Sequence, residues 1–395
     1  MNAPLSKSIA AILPDLIEWR RDFHRHPELM YDLPRTAGLV ADRLRAFEFD
    51  EVIEGVGRTG VLGILHGSTG PALSKDKRVL FRADMDALPI EEASAADHAS
   101  IVAGRMHACG HDGHTAILLG AARHLAETRA FDGTLVFCFQ PAEEGHAGAQ
   151  AMIDDGMFER FPVRGAYALH NWPGMAVGEF GVMRGPAMAS ADGVVITIRG
   201  KGGHAAQPHT ARDPIVAAGH IVSAVQTIVS RVVDPFEQAV VSITAINGGD
   251  AFNVIPEAVE MKCGFRCFSE TVAAAIEQEL WRICEKTGEA LGVTVTVARP
   301  PLKPYPPTVN HPAETEIALD AMRAVAGAGG VRDDLKPLMG SEDFAFILRQ
   351  VPGAYVLIGN GNSAALHNPA YDFDDGAIAY GVAYWSELAA RVLPQ

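Results

Sequence analysis

Between residues 192 and 299 the apolar pattern reads strand (GVVITIRG), helix (DPIVAAGHIVSAVQTIVSRVV), strand (QAVVSITAI), strand (AVEMKCGFRCF), helix (SETVAAAIEQELWRICEKTGEALG) and strand (VTVTVA). That β-α-β-β-α-β order is the ferredoxin-like pattern, and it constrains the rest of the chain because it forms a unit by itself. On either side the style differs. Short apolar runs at Gly60 to His66, Arg78 to Arg82, Thr134 to Phe139, Gly165 to Leu169 and Ala354 to Ile358 alternate with helical spacing, as at His114 to Thr128 and after Asp375. Alternation of that kind predicts βαβ units around a mostly parallel sheet. The expected fold class is therefore α/β, with a discontinuous parallel-sheet domain (residues 1–187 and 300–395) interrupted by an α+β domain (188–299). The proline-rich RPPLKPYPP reads as the return linker.

A length of 395 residues favours two compact units. The net charge of -15 argues against a nucleic-acid partner, since phosphate neutralisation needs a basic face. Five scattered cysteines (Cys109, Cys138, Cys263, Cys267 and Cys284) make a disulfide framework unexpected and fit a reducing compartment. The N-terminus reads as an amphipathic helix carrying Trp19 and Phe23 toward its apolar side, not as a signal peptide. No apolar run is expected to reach membrane-spanning length, so the expectation is a soluble, cytoplasmic chain without a membrane partner.

The densest chemistry is HACGHDGH, His107 to His114. Cys109 and His111 stand two apart, a spacing that in extended or looped backbone turns both side chains to one side, and Gly110 lets the backbone approach a site closely. One histidine or one buried cysteine is ordinarily packing, but three His, one Cys and one Asp in eight residues point to a metal. FCFQPAEEG runs from a probable core strand into Glu143 and Glu144. Adjacent glutamates are ordinarily a solvated turn, but open α/β sheets bind ligands at the carboxyl ends of their strands. There two neighbouring carboxylates can divide labour, one on metal and one taking a proton. His170 after GAYAL, His367 in SAALHNP, and Asp84 and Asp86 in FRADMDALP occupy similar strand-end places. Cys109, His111, Glu144, His170 and His367 make five ligands, one more than a closed tetrahedral site needs, so two divalent ions are expected. A thiolate with imidazoles favours zinc, with manganese, cobalt and nickel open.

HACGHDGH, PAEEG, LHNWP, GKGGHAAQPH, AFNVIPE, GSEDFA and LHNP together resemble the M20 metallopeptidase family, in its amidohydrolase branch of hippurate hydrolases, N-acyl-amino-acid amidohydrolases and auxin-conjugate hydrolases. The resemblance implies the same five metal ligands, with Cys109 bridging where many relatives have Asp, and Glu143 as general base. It implies a supporting role for Asp86, with Asp84 where peptidase relatives have a ligand His. It further implies His204 as a histidine that helps polarise the scissile carbonyl, and Asn253 and Arg266 as contacts to substrate. The inserted domain would be a lid and dimerisation domain, giving a homodimer or higher homo-oligomer.

The activity so implied is hydrolysis of N-acyl amino acids by a metal-activated water. Its rivals are a dipeptidase or aminopeptidase on the same machinery, a cysteine-nucleophile hydrolase using Cys109 with His111 or His114, and a non-catalytic metal- or ligand-binding protein.

Overall fold

The computed structural model describes residues 6–72 and 74–395. The chain divides into two compact units. One comprises Met1–Ala187, Val309–Lys336 and Asp343–Gln395, the other Met188–Thr308 and Pro337–Glu342.

The first unit is built on an eight-stranded sheet. Its centre is parallel: Thr134–Gln140, Arg78–Asp84, Gly165–Trp172 and Gly353–Gly359 lie side by side in that order. Thr134–Gln140 and Gly353–Gly359 are buried at every residue. That is what a parallel strand covered on both faces requires, and it explains why these segments read as continuous apolar runs. The antiparallel edge pair, Glu51–Val56 on Gly60–His66, and the two-residue strands Phe180–Gly181 and Val331–Arg332 complete the sheet. Glu51–Val56 (EVIEGV) is short and largely exposed, and carries no patterned signal in the sequence.

Helix Lys7–Arg25 starts at Ser6, whose hydroxyl accepts from the Ile9 N–H at 3.2 Å. Its stripe of Ile9, Ile12, Leu16 and Phe23 is buried, and so are Arg20 and His24. These two polar residues, four apart on one face, dock the helix electrostatically. Arg20 Nε donates to Asp375 at 2.8 Å, and His24 Nδ1 pairs with Asp112 Oδ2 at 2.9 Å. Asp112 lies in the first turn of helix His111–Thr128, most of which is buried.

In the second unit the four strands Ala239–Asn247, Ala258–Cys267, Asp192–Arg199 and Thr294–Ala298 form one antiparallel sheet in that order. Asp192–Arg199 buries alternate residues, Val194, Ile196 and Ile198, as a sheet with one covered face does. Helices Pro214–Thr227 and Glu270–Leu291 supply that cover through Ala217, Ile221, Val225, Ile276, Leu280 and Ile283. The β-α-β-β-α-β reading is thus borne out strand by strand.

One expectation is corrected. Helix Pro214–Thr227 continues through a π-helical turn, and Pro214–Val232 spans 19 residues, long and apolar enough by length and composition alone to cross a membrane. The physical reason is that it is apolar on more than its packing stripe. Ala217, Ala218, Ile221, Val225 and Ile228 are buried on the sheet, while Ile215, Val216, Val229 and Val232 stay exposed.

The docking of the first helix has a pH signature. Burial opposes protonation of His24, but the Asp112 carboxylate outweighs it and lifts the imidazole to about 9. A raised folded pKa gives stability that is complete below about 6.5 and is lost as pH rises through about 9. Wild type should therefore exceed His24→Gln in unfolding free energy by about 2–3 kcal/mol near pH 6, with the gap closing by pH 10 in denaturant titrations. A gap independent of pH would show that His24 docks the helix as a neutral ring.

Candidate functional site

The carboxyl ends of the central strands carry the chemistry. Strand Arg78–Asp84 delivers Arg82 and Asp84 on one face, two residues apart, and Asp86 just beyond its end. Strand Gly165–Trp172 carries His170 and Asn171, and Thr134–Gln140 leads into the turn Glu143–His146.

Cys109 and His111 are brought to one side by Gly110, whose φ of +84° lets it cap helix His111–Thr128. The helix therefore begins at His111, three residues earlier than the spacing predicts. A side chain at Gly110 is excluded twice over, because a Cβ there would sit 2.3 Å from Asn171 Nδ2 and 2.4 Å from Tyr371 Oη. The glutamate turn is strained likewise: Ala142 and Ala147 flank it at φ +56°, and Gly145 within it is at +81°. Non-glycine residues in this region are sparse and concentrate at functional sites. His367 (φ +63°) joins the same cluster, its N–H donating to Ala108 O at 2.8 Å.

The structure gathers the five sequence-predicted ligand residues in the first unit. Ligand atoms of Cys109, His111 and Glu144 lie within 4.8 Å of one another. His170 Nε2 is 3.5 Å from Cys109 Sγ, and His367 Nε2 is 3.1 Å from Glu144 Oε1. Asp86 organises the turn: its two oxygens accept from the N–H groups of Glu143 (2.9 Å) and Glu144 (3.1 Å), and its Oδ1 lies 3.5 Å from His111 Nδ1. Glu143 is buried, and its Oε1 is 3.4 Å from the Asp343 N–H. One clamp thus sets both glutamates and faces the His111 ring.

The donor set fits a cation. Both ring nitrogens of fully buried His111 lack a hydrogen-bond partner, which is costly unless something else binds there. Burial opposes charge on His111, yet Asp84, Asp86 and Glu144 pull it up to about 10, a measure of how strongly these carboxylates call for positive charge. Burial pushes the Cys109 thiol well up, and Glu144, Glu143 and Asp84 add to it. A nucleophilic cysteine needs the opposite environment. A cation among these acids would instead favour the thiolate as a ligand.

Patterning did not single out Arg82, Asp343 or Tyr371. Buried Arg82 donates to Asp84 Oδ2 (2.8 Å), Gln140 Oε1 (2.8 Å) and Asp343 Oδ1 (3.0 Å). A charged residue inside an apolar strand, FRAD, was the available signal. Tyr371 donates to Asn171 Oδ1 at 2.8 Å; nothing in its local sequence marks it.

His204, Asn253 and Arg266 belong to the second unit. His204 is exposed on the two-stranded ribbon Gly203–His204 with Val254–Ile255, where it faces Val254, and Ala205 N donates to Asn253 O at 3.0 Å. Arg266 sits apart from that ribbon on the four-stranded sheet, its Nη1 donating to Met339 O at 3.1 Å.

The model of peptidase family M20/M25/M40 matches residues 80–391. The hippurate hydrolase of Campylobacter jejuni is 38% identical over 389 residues, 97% of this chain and 99% of that protein. The N-acetylcysteine deacetylase of Bacillus subtilis is 38% identical over 382 residues, 96% of this chain and 97% of that one. A solved Bacillus subtilis structure, described as a dinuclear metal binding peptidase from the M20 family, superposes with a TM-score of 0.83 at 34% identity, covering 97% of this chain and 99% of its own. By these matches the chain is an amidohydrolase acting on C–N bonds. The chain belongs to peptidase family M20/M25/M40.

Gly110 and Gly145 separate strain from crowding. Gly145→Ala meets open space and should cost about 1 kcal/mol, from the left-handed backbone alone. Gly110→Ala should cost about 2–4 kcal/mol and weaken divalent-metal binding as well, because Asn171 and Tyr371 must move. Denaturant unfolding and zinc titration of the two variants check the difference.

Proposed function

We propose that the chain hydrolyses the amide bond of N-acyl amino acids, releasing a carboxylic acid and an amino acid. The carrying observation is the convergence of Cys109, His111, Glu144, His170 and His367 beside a second glutamate, Glu143, fixed by Asp86. The names of the two curated relatives support the substrate class.

In this reading the five residues hold two divalent ions, which when bound supply Lewis-acid activation of water and of the scissile carbonyl. Zinc suits the Cys and His donors, with manganese, cobalt or nickel as alternatives. Glu143 takes the proton of the attacking water and returns it to the departing nitrogen. Its 3.4 Å approach to the Asp343 N–H and the Asp86 bond to its own backbone hold the carboxylate in one place for both transfers. His204 stabilises the developing oxyanion, and Asn253 and Arg266 contact the substrate's carboxylate or carbonyl. The second unit also forms a homodimer in this reading, by pairing a sheet edge and helix face with a second copy.

A panel of N-acetyl, N-benzoyl and longer N-acyl amino acids, run beside free dipeptides with each metal, tests the substrate class. Preference for dipeptides would shift the reading to a peptidase on the same site. Chelation should abolish turnover and added metal restore it, whereas full activity in the stripped protein would sink the metal mechanism.

The two glutamates should fail differently. Glu143→Gln should keep its metal while kcat drops by about two to four orders of magnitude, and Glu144→Gln should lose metal affinity. Near-normal turnover in Glu143→Gln would move the base elsewhere.

A further inference from the structure

Asp84, His111, His114 and His170 place ligand atoms within 4.8 Å of one another, all four buried, so by proximity His114 passes for a metal ligand. Its hydrogen bonds say otherwise. His114 Nδ1 lies 2.6 Å from Asp84 Oδ1, an oxygen of the carboxylate whose Oδ2 accepts from the buried Arg82 guanidinium at 2.8 Å. An ionised carboxylate only accepts, so Nδ1 carries the hydrogen. His114 Nε2 lies 2.9 Å from the backbone N of Asn171, which only donates, so Nε2 carries the lone pair. Both ring nitrogens are thus in use, and the tautomer is determined at each end by a group with no choice of role.

The same reasoning runs on through Asn171. Its Nδ2 faces two acceptors, Cys109 O at 2.6 Å and His114 Nε2 at 3.0 Å, and its Oδ1 accepts from Tyr371 at 2.8 Å. Its backbone oxygen accepts from His170 Nδ1 at 2.7 Å, which leaves the Nε2 lone pair of His170 directed at Cys109 Sγ.

We propose that His114 and Asn171 are positioning residues: the relay Arg82–Asp84–His114–Asn171 fixes the Cys109 peptide and the His170 tautomer, and binds no metal itself. Outer partners of this kind orient metal-bound imidazoles and are worth about 10–100-fold in metal affinity. The inference rests on the reading of Cys109 and His170 as ligands. Asp84 links the two ends of the relay, its Oδ2 accepting from Arg82 and its Oδ1 from His114.

Two measurements test this. Histidine 15N NMR of the full chain, metal-free and zinc-saturated, should show His114 with Nδ1 protonated and Nε2 bare in both states, while the His170 Nε2 resonance responds to zinc. A zinc-shifted His114 Nε2 would make it a ligand and overturn the proposal. Zinc competition against a chromophoric chelator reads the variants. Asn171→Asp, which turns a carboxylate oxygen toward Cys109 O and His114 Nε2, and His114→Ala should each weaken zinc binding by about 10–100-fold. His114→Gln, whose amide can donate to Asp84 and accept from Asn171, should stay within about threefold of wild type. Wild-type affinity in Asn171→Asp, or His114→Gln binding as poorly as a folded His114→Ala, would overturn the proposal. If His114→Ala does not fold, Asn171→Asp and the spectra decide. A wild-type chain that binds no zinc, manganese, cobalt or nickel would instead remove the underlying metal reading.

Discussion

Arg82 is the charge on which the first unit's site depends. It is buried in a central strand, and its guanidinium joins Asp84, Gln140 and Asp343. Asp84 leads to His114 and Asn171, and so to Cys109 and His170. Asp343 also accepts from Gln140 Nε2 and the Ala149 N–H, and its own N–H faces Glu143. The ligand side and the glutamate side are thus referenced to one planar, always-charged group that can donate in three directions at once. Breaking such a buried pair by removing one partner costs about 3–5 kcal/mol, because it leaves an uncompensated charge behind.

Around that hub the site concentrates what a stable fold ordinarily avoids. Ala142, Ala147 and His367 adopt left-handed backbone, His111 keeps two buried nitrogens without hydrogen bonds, and Asp84, Asp86, Glu143 and Glu144 crowd one thiol and one imidazole. Each feature is unfavourable alone. Together they make a donor set that fits a cation, at the end of a sheet in which Thr134–Gln140 and Gly353–Gly359 are buried at every residue. The second unit is built differently. Its sheet has one covered face and its own apolar core, and its functional candidates His204 and Asn253 are exposed, one on the two-stranded ribbon and the other just before it.

Much of this was legible in the amino-acid sequence because the relevant signals are local. Period-two and continuous apolar runs marked the central strands and the whole β-α-β-β-α-β order. The Cys109, His111, Glu143 and Glu144 cluster declared itself by spacing, and His170 and His367 by their places after apolar strands. The edge strand Glu51–Val56 did not, since its apolar residues do not alternate with polar ones and only its neighbour makes it a strand. The helix starting at His111 begins three residues before its apolar spacing does, because the signal for its start is the backbone angle of Gly110 and not a capping side chain.

By itself the sequence determined which residue types stand at the strand ends, and therefore that a metal-bearing hydrolytic site was available. Only the tertiary structure decided their division of labour. Histidine spacing cannot tell a ligand from an orienter; that depends on which atoms fill the other hydrogen-bonding positions. For His114 those atoms come from Asp84, 30 residues earlier, and Asn171, 57 residues later. Arg82, near the carboxyl end of strand Arg78–Asp84, and Asp343, the N-cap of helix Phe344–Leu348, stand 261 positions apart and meet only in the folded chain.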